Sequence, residues 1–213
     1  MFHQNGPTDR ADKATIRYAV LRIRLGKAVS PCHGGGRGKV SYRLRDESPM
    51  TTPNDLKTVP DLKLPRYLGT WYEIARLPMR HEPDACTDVS ANYSLQDNGN
   101  IRVHNRCRME GEIEEAIGEA SVVDNDSARL AVSFLPKGLR WLPFTKGDYW
   151  VIQIAPDYSV SLVGSPDRDY LWLLSRTPHL DKTVRDHYLA TARQQGFDLS
   201  KLIDTPHTGK PTA

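Results

Sequence analysis

Between Thr70 and Arg176 the chain alternates apolar and polar residues with a period of two, broken at intervals by clusters of Gly, Asn, Asp and Pro. In the run 87–96, Val89, Ala91, Tyr93 and Leu95 fall on one face, and Ser90, Asn92 and Ser94 on the other. The run 128–135 repeats the pattern, with Leu130, Val132 and Phe134 set against Ala131 and Ser133. One apolar face and one wet face is the mark of antiparallel strands. The periodicity predicts strands over 70–77, 87–96, 100–107, 111–123, 128–135, 148–155, 159–164 and 170–176. Asp97-Asn98-Gly99-Asn100 and Asp124-Asn125-Asp126-Ser127 supply the positive-φ residues that tight hairpins need, and Pro156-Asp157 serves a third turn.

After residue 180 the period changes to that of a helix. Asp181 is a natural N-cap for a helix over 181–195, with Val184, Tyr188 and Ala192 on one stripe and Gly196 as its stop. Eight consecutive strands and one helix point to an all-β fold: an eight-stranded antiparallel up-and-down barrel with a C-terminal α-helix packed on the outside. Closing such a sheet removes its edges and leaves an interior that can hold one small ligand.

Composition changes this picture only at the N-terminus. The net charge is +3, yet residues 1–49 hold ten Lys/Arg against four acidic residues, so the remainder carries −3. A nucleic-acid footprint needs cations clustered on the folded domain, and this domain has no excess of them. Residues 1–49 read as a disordered basic extension, too poor in apolar residues to offset ordering entropy, and Met50 offers an alternative start. Residues 50–60 read as a polar leader, 61–205 as the barrel and 206–213 as a flexible tail. The apolar stretch from Ile16 to Val29 is interrupted by Arg17, Arg22, Arg24 and Lys27, which makes it a poor secretory signal. Cys32 sits in a weak likeness of a lipoprotein acylation site, spoiled by Pro31.

No run of about 18 apolar residues is present to form a spanning helix. There is also no catalytic or metal-binding grouping: no H-x-x-x-H spacing, no G-x-S-x-G elbow and no C-x-x-C pair. The expectation is therefore a binding protein and not an enzyme, with no metal and no cofactor.

Three elements carry a resemblance to a known family. Gly69-Thr70-Trp71-Tyr72 resembles the G-x-W signature of lipocalins. Ala155-Pro156-Asp157-Tyr158 resembles their T-D-Y element with Pro in place of Thr, and Arg176 matches their lone third-element Arg. Longer stretches are similar to bacterial lipocalins (67–76 and 166–178), to plant temperature-induced lipocalins (147–151) and to apolipoprotein D (91–95). The resemblance covers 61–205.

In that topology the start of the first strand, the turn at 156–158 and the end of the last strand share one end of the barrel. Arg176 then lies across Trp71, and Gly69, Trp71, Asp157, Tyr158 and Arg176 are structural, sealing that end. Cys86 and Cys107 approach the opposite rim on adjacent strands. A disulfide there is expected, with two thiols as the alternative, and would imply an oxidising compartment.

The family binds hydrophobic ligands, and the resemblance implies a fatty acid or lysophospholipid here. Tyr93 and Trp172 match positions that line the apolipoprotein D pocket, and Asn105 matches a polar position there. Val103 shares a face with Asn105, and Val132 and Phe134 belong to the apolar face of their strand. Plain core filling is the competing role for each. Arg80, His81 or Arg108 is expected near a polar head at the rim.

The loop 137–146, with Leu139, Trp141, Leu142 and Phe144 among Lys137, Arg140 and Lys146, suits an anionic membrane surface. A homodimer contact, or closure over the opening, is the alternative. The expected role is lipid transport or storage in the cell envelope, with a pigment or haem carrier as the second reading and an enzyme as a remote third.

Overall fold

The computed structural model describes residues 56–79, 85–136 and 146–210. Its eight principal strands are β1 (Gly69–Arg76), β2 (Thr87–Leu95), β3 (Ile101–Met109), β4 (Glu112–Val123), β5 (Asp126–Ser133), β6 (Gly147–Ile154), β7 (Val160–Gly164) and β8 (Leu171–Ser175). They run antiparallel in sequence order, and β1 pairs with both β8 and β2, closing the barrel. A short helix α1 (Leu64–Tyr67) precedes β1; helix α2 (Lys182–Gln194) and strand β9 (Ile203–Asp204) follow β8. The turn chemistry operates as expected: Gly99, Asp124, Asn125 and Tyr158 all have positive φ.

The barrel wall separates two cores. Inside, Trp71, Tyr93, Val103, Leu130, Val151, Val163 and Leu174 form one buried cluster. Outside, Trp150, Ile152, Leu162, Leu171 and Leu173 meet Tyr188, Leu189 and Ala192 of α2. The strands β6 to β8 are thus covered on both faces, and every residue of β7 is buried.

Asp181 caps α2, its carboxylate accepting from the amides of Thr183 (2.8 Å) and Val184 (3.3 Å). Gly196 at φ +90° ends it, with the Phe197 amide donating back to the Ala192 carbonyl at 3.1 Å. The buried stripe differs from the expected one. Val184 is 37 % exposed and Leu189 takes its place, because the helix packs through its C-terminal half.

Leu95 also departs from its expected inward face. It is the last residue of β2 before the hairpin and is 60 % exposed, although Ile101 opposite it on β3 belongs to the inner core.

The C-terminal segment completes the wall. Pairing between β1 and β2 runs from Gly69↔Tyr93 only to Tyr72↔Ser90. Past that point β9 adds to β1 through Ala75↔Asp204 and Arg76↔Ile203. The Pro206 carbonyl accepts from the Asp88 amide at 2.9 Å, and the Asp88 carboxylate accepts from the amide (2.6 Å) and hydroxyl (2.7 Å) of Thr208. Residues 206–208, expected as loose tail, are therefore tied to β2. The folded unit also begins before 61, since Leu56 is buried in the outer core and the Val59 amide donates to the Val151 carbonyl at 3.0 Å.

Candidate functional site

The sealed end is built around Trp71, fully buried at the start of β1. The Arg176 guanidinium lies 3.8 Å from the centre of its ring. That contact is worth about 0.5–2 kcal/mol, but the hydrogen bonds add more. Arg176 donates to the carbonyls of Thr70 (2.7 Å), Arg66 (2.9 Å), Leu68 (2.9 Å), Tyr67 (3.2 Å) and Tyr158 (3.3 Å). Three of these carbonyls belong to the C-terminal end of α1, which has no intrahelical donor for them.

The Trp71 indole N–H donates to Tyr67 O at 2.8 Å. Gly69 sits at φ +93°, and a Cβ there would lie 3.4 Å from the Arg176 guanidinium. The Asp157 carboxylate accepts from the amide (3.0 Å) and hydroxyl (2.7 Å) of Ser159, shaping the β6–β7 turn. Tyr158 in that turn accepts from the Lys63 amide through its hydroxyl at 2.9 Å. These five residues hold the barrel end together and lie apart from the space above it.

That space is a cavity of about 190 Å³, reaching from Tyr67 at the sealed end to Met79, Cys107 and Gly147 at the rim. It exceeds the ~150 Å³ apolar cavity that admits benzene in an engineered protein. Tyr93, Val103, Asn105, Val132, Phe134 and Trp172 all line it, as their strand parity requires. Asn105 contributes a buried carbonyl oxygen, Oδ1, that has no hydrogen-bond partner among the described residues. Close packing fixes the Phe134 ring: a Cβ on Gly118 would come within 2.8 Å of it.

Arg108 is not among the lining residues, contrary to its expected place beside a ligand head. Even-numbered positions of β3 face outward, and Arg108 instead donates to Gly111 O at 3.0 Å and stands 3.7 Å from the Asp88 carboxylate. Arg80 and His81, and nearly all of the loop 137–146, lie outside the described residues.

A disulfide joins Cys86 and Cys107 beside the rim, with Cα atoms 5.6 Å apart. It packs with Val89 in a small buried cluster.

Two groups inside the barrel escaped the sequence reading. The first is a set of hydroxyls at the cavity floor. Ser161 Oγ lies 3.1 Å from Tyr67 OH, which lies 2.8 Å from Tyr149 OH, which lies 3.1 Å from Tyr93 OH. Burial pushes the Tyr67 phenol up to about 12 and raises Tyr93 and Tyr149 as well, so all three stay protonated at neutral pH.

The second is an inward-facing carboxylate, Glu73, only 3 % exposed. It accepts from the Thr205 hydroxyl of the C-terminal segment and pairs with buried Arg76, whose Nε is 3.6 Å away. Glu73 was legible in principle, two positions beyond Trp71 on the same strand. Arg76 was not, because it turns inward only through the irregularity between Glu73 and Ala75.

Comparison with known proteins agrees with this geometry. The model of the lipocalin-like domain matches residues 62–207. The chain belongs to the lipocalin family. This lipocalin is 39 % identical over 165 residues to temperature-induced lipocalin-1 of Arabidopsis thaliana, covering 76 % of the chain and 88 % of that protein. It is 41 % identical over 159 residues to the outer membrane lipoprotein Blc of Escherichia coli K12, covering 73 % and 85 %. Insecticyanin of the tobacco hornworm Manduca sexta shares the fold at a TM-score of 0.56 and 23 % identity, over 71 % of this chain and 84 % of that one.

Proposed function

We propose that this lipocalin carries a single-chain lipid, a fatty acid or lysophospholipid, within its barrel and works in the cell envelope. Lipocalins bind small hydrophobic molecules, and the observation that carries the reading is the apolar cavity open from rim to floor between Trp172, Phe134, Val132 and Tyr93. Burying an acyl chain of about fourteen methylenes at ~0.8 kcal/mol each gives roughly 11 kcal/mol gross. Ordering costs reduce that to affinities on the order of micromolar. The envelope assignment draws support from the Cys86–Cys107 disulfide, which persists in oxidising compartments, and from the relative named as an outer membrane lipoprotein.

The test is native mass spectrometry of the purified protein, followed by lipid extraction and titration with the lipids recovered. A mass increment that extracts as a single-chain lipid supports the reading. A protein that neither retains nor takes up any such lipid ends it.

A further inference from the structure

The cavity is apolar in bulk, but its polar atoms are unevenly equipped. The floor hydroxyls of Ser161, Tyr67, Tyr149 and Tyr93 form a linear chain with three contacts. Each hydroxyl owns one hydrogen, so one hydrogen is left over, and none of the four has another hydrogen-bond partner among the described residues. If the chain runs towards Ser161, the spare hydrogen ends at a residue with no exposed surface. A buried donor without an acceptor is penalised. In every other arrangement the spare hydrogen sits on one of the three tyrosines, all of which line the cavity. The floor therefore offers a neutral O–H donor to whatever occupies the cavity. Nearby, the unpartnered Asn105 Oδ1 offers an acceptor one register step towards the rim, since Ala91, two residues before Tyr93, pairs with Asn105.

The charges on the wall have one predominant sign. Glu73, Glu114 and Asp148 contribute to the lining, whereas Arg106 is the lone Lys or Arg there among the described residues. The Arg106 guanidinium is occupied on the outer face, 2.7 Å from Glu115. Arg76 sits behind Glu73 as its ion-pair partner and does not line the cavity. Glu114 faces inward beside Cys107 and has no ion-pair or hydrogen-bond partner among the described residues. A ligand carboxylate carried into this space loses its hydration and meets Glu114, while the cations nearest the wall among the described residues, Arg76 and Arg106, are already engaged by Glu73 and Glu115. A hydroxyl or ester group loses less and finds both a donor and an acceptor.

Building on the carrier reading but narrowing it away from fatty acids, we infer that the cavity selects single-chain amphiphiles with an uncharged hydroxyl or ester group next to the chain over those whose chain ends in a carboxylate. The floor hydroxyls and Asn105 make the attraction; Glu114 makes the exclusion.

The experiment is calorimetric titration of the full chain with 1-monolauroylglycerol and with laurate, both below their micellar range. The expected result is monolauroylglycerol binding tighter by roughly tenfold, the value of one well-made hydrogen bond. Glu114→Gln, at a partly exposed position, should tighten laurate about fivefold by removing one like charge, while monolauroylglycerol stays within about twofold. The triple variant Tyr67→Phe/Tyr93→Phe/Tyr149→Phe keeps the rings and removes every phenol of the chain that lines the cavity. It should weaken monolauroylglycerol by about tenfold and leave laurate little changed. Laurate binding the wild type as tightly as monolauroylglycerol overturns the inference and leaves the carrier reading standing, as does Glu114→Gln leaving their ratio unmoved. If neither lipid binds the wild type, the carrier reading itself fails.

Discussion

The two ends of the barrel use opposite means to stay together. At the sealed end one guanidinium gathers five carbonyls and covers an indole, and the backbone groups freed by the end of α1 are satisfied by it. At the open end β1 and β2 separate; a two-residue strand and an aspartate that grips the C-terminal segment fill the gap, and a disulfide ties the start of β2 to β3. The Trp71–Arg176 base satisfies its polar groups internally; the cavity above it leaves a spare tyrosine O–H, Asn105 Oδ1 and Glu114 facing a ligand. Saturated hydrogen bonding makes a rigid base, and unsaturated polar atoms make a place for a ligand. Stability and binding are thereby assigned to different ends of one sheet.

Substitution at the sealed end should be the more damaging. Trp71→Ala removes a fully buried ring and the surface under Arg176, with an expected loss of about 3–5 kcal/mol in urea unfolding. A loss below about 1 kcal/mol would mean the two ends are not mechanically distinct.

Cys86→Ser/Cys107→Ser comes next. Opening a loop with a sequence separation of 21 should cost roughly 3 kcal/mol. The near-ultraviolet signal of the buried Trp71 should persist in the native state of that variant.

Thr205→Val is milder, about 1–2 kcal/mol, because it deprives the buried Glu73 carboxylate of one donor. Hydrogen exchange should quicken at β9 and the second half of β1 while the Trp71 amide keeps its protection. Equal acceleration at both ends would erase the distinction drawn above.

The smallest effect near neutrality concerns the floor tyrosines. Unfolded phenols ionise near pH 10, while Tyr67 in the barrel keeps its proton to about 12 and burial raises Tyr93 and Tyr149 too. Above pH 10 the unfolded chain binds fewer protons than the folded one. Stability is therefore complete below that pH and declines as it rises towards 12. Of the nine tyrosines, three should form tyrosinate only as the protein unfolds, seen as a late phase in an ultraviolet absorbance titration. A single phase at ordinary pH with the fold intact would contradict the burial of the hydroxyl chain.

Much of the wall was legible in the residues because its cause is local. Strand parity placed Tyr93, Val103, Asn105, Val132 and Trp172 on the cavity side, and the Asp181 cap and Gly196 stop bounded α2 to within a residue. Arg108 failed for a reason parity itself supplies: it lies three positions from Asn105 and so on the opposite face. Helix α1 and strand β9 escaped notice because each is too short to show a period. Tyr67 and Thr205 reach the interior only through those pieces.

By itself, the order of residues determined the eight strands, the turns between them and the capped helix, since each follows from nearest-neighbour chemistry or from strand alternation; the pairing of Trp71 with Arg176 was implied by the family resemblance. The linked hydroxyls of Tyr67, Tyr149 and Tyr93, the Glu73–Arg76 pair and the tying of Thr208 to Asp88 were decided by tertiary structure alone. Those contacts join residues from 3 to 120 positions apart, the nearest of them across a strand irregularity. A period of two says which face a side chain takes, but only closure of the barrel says what stands opposite it.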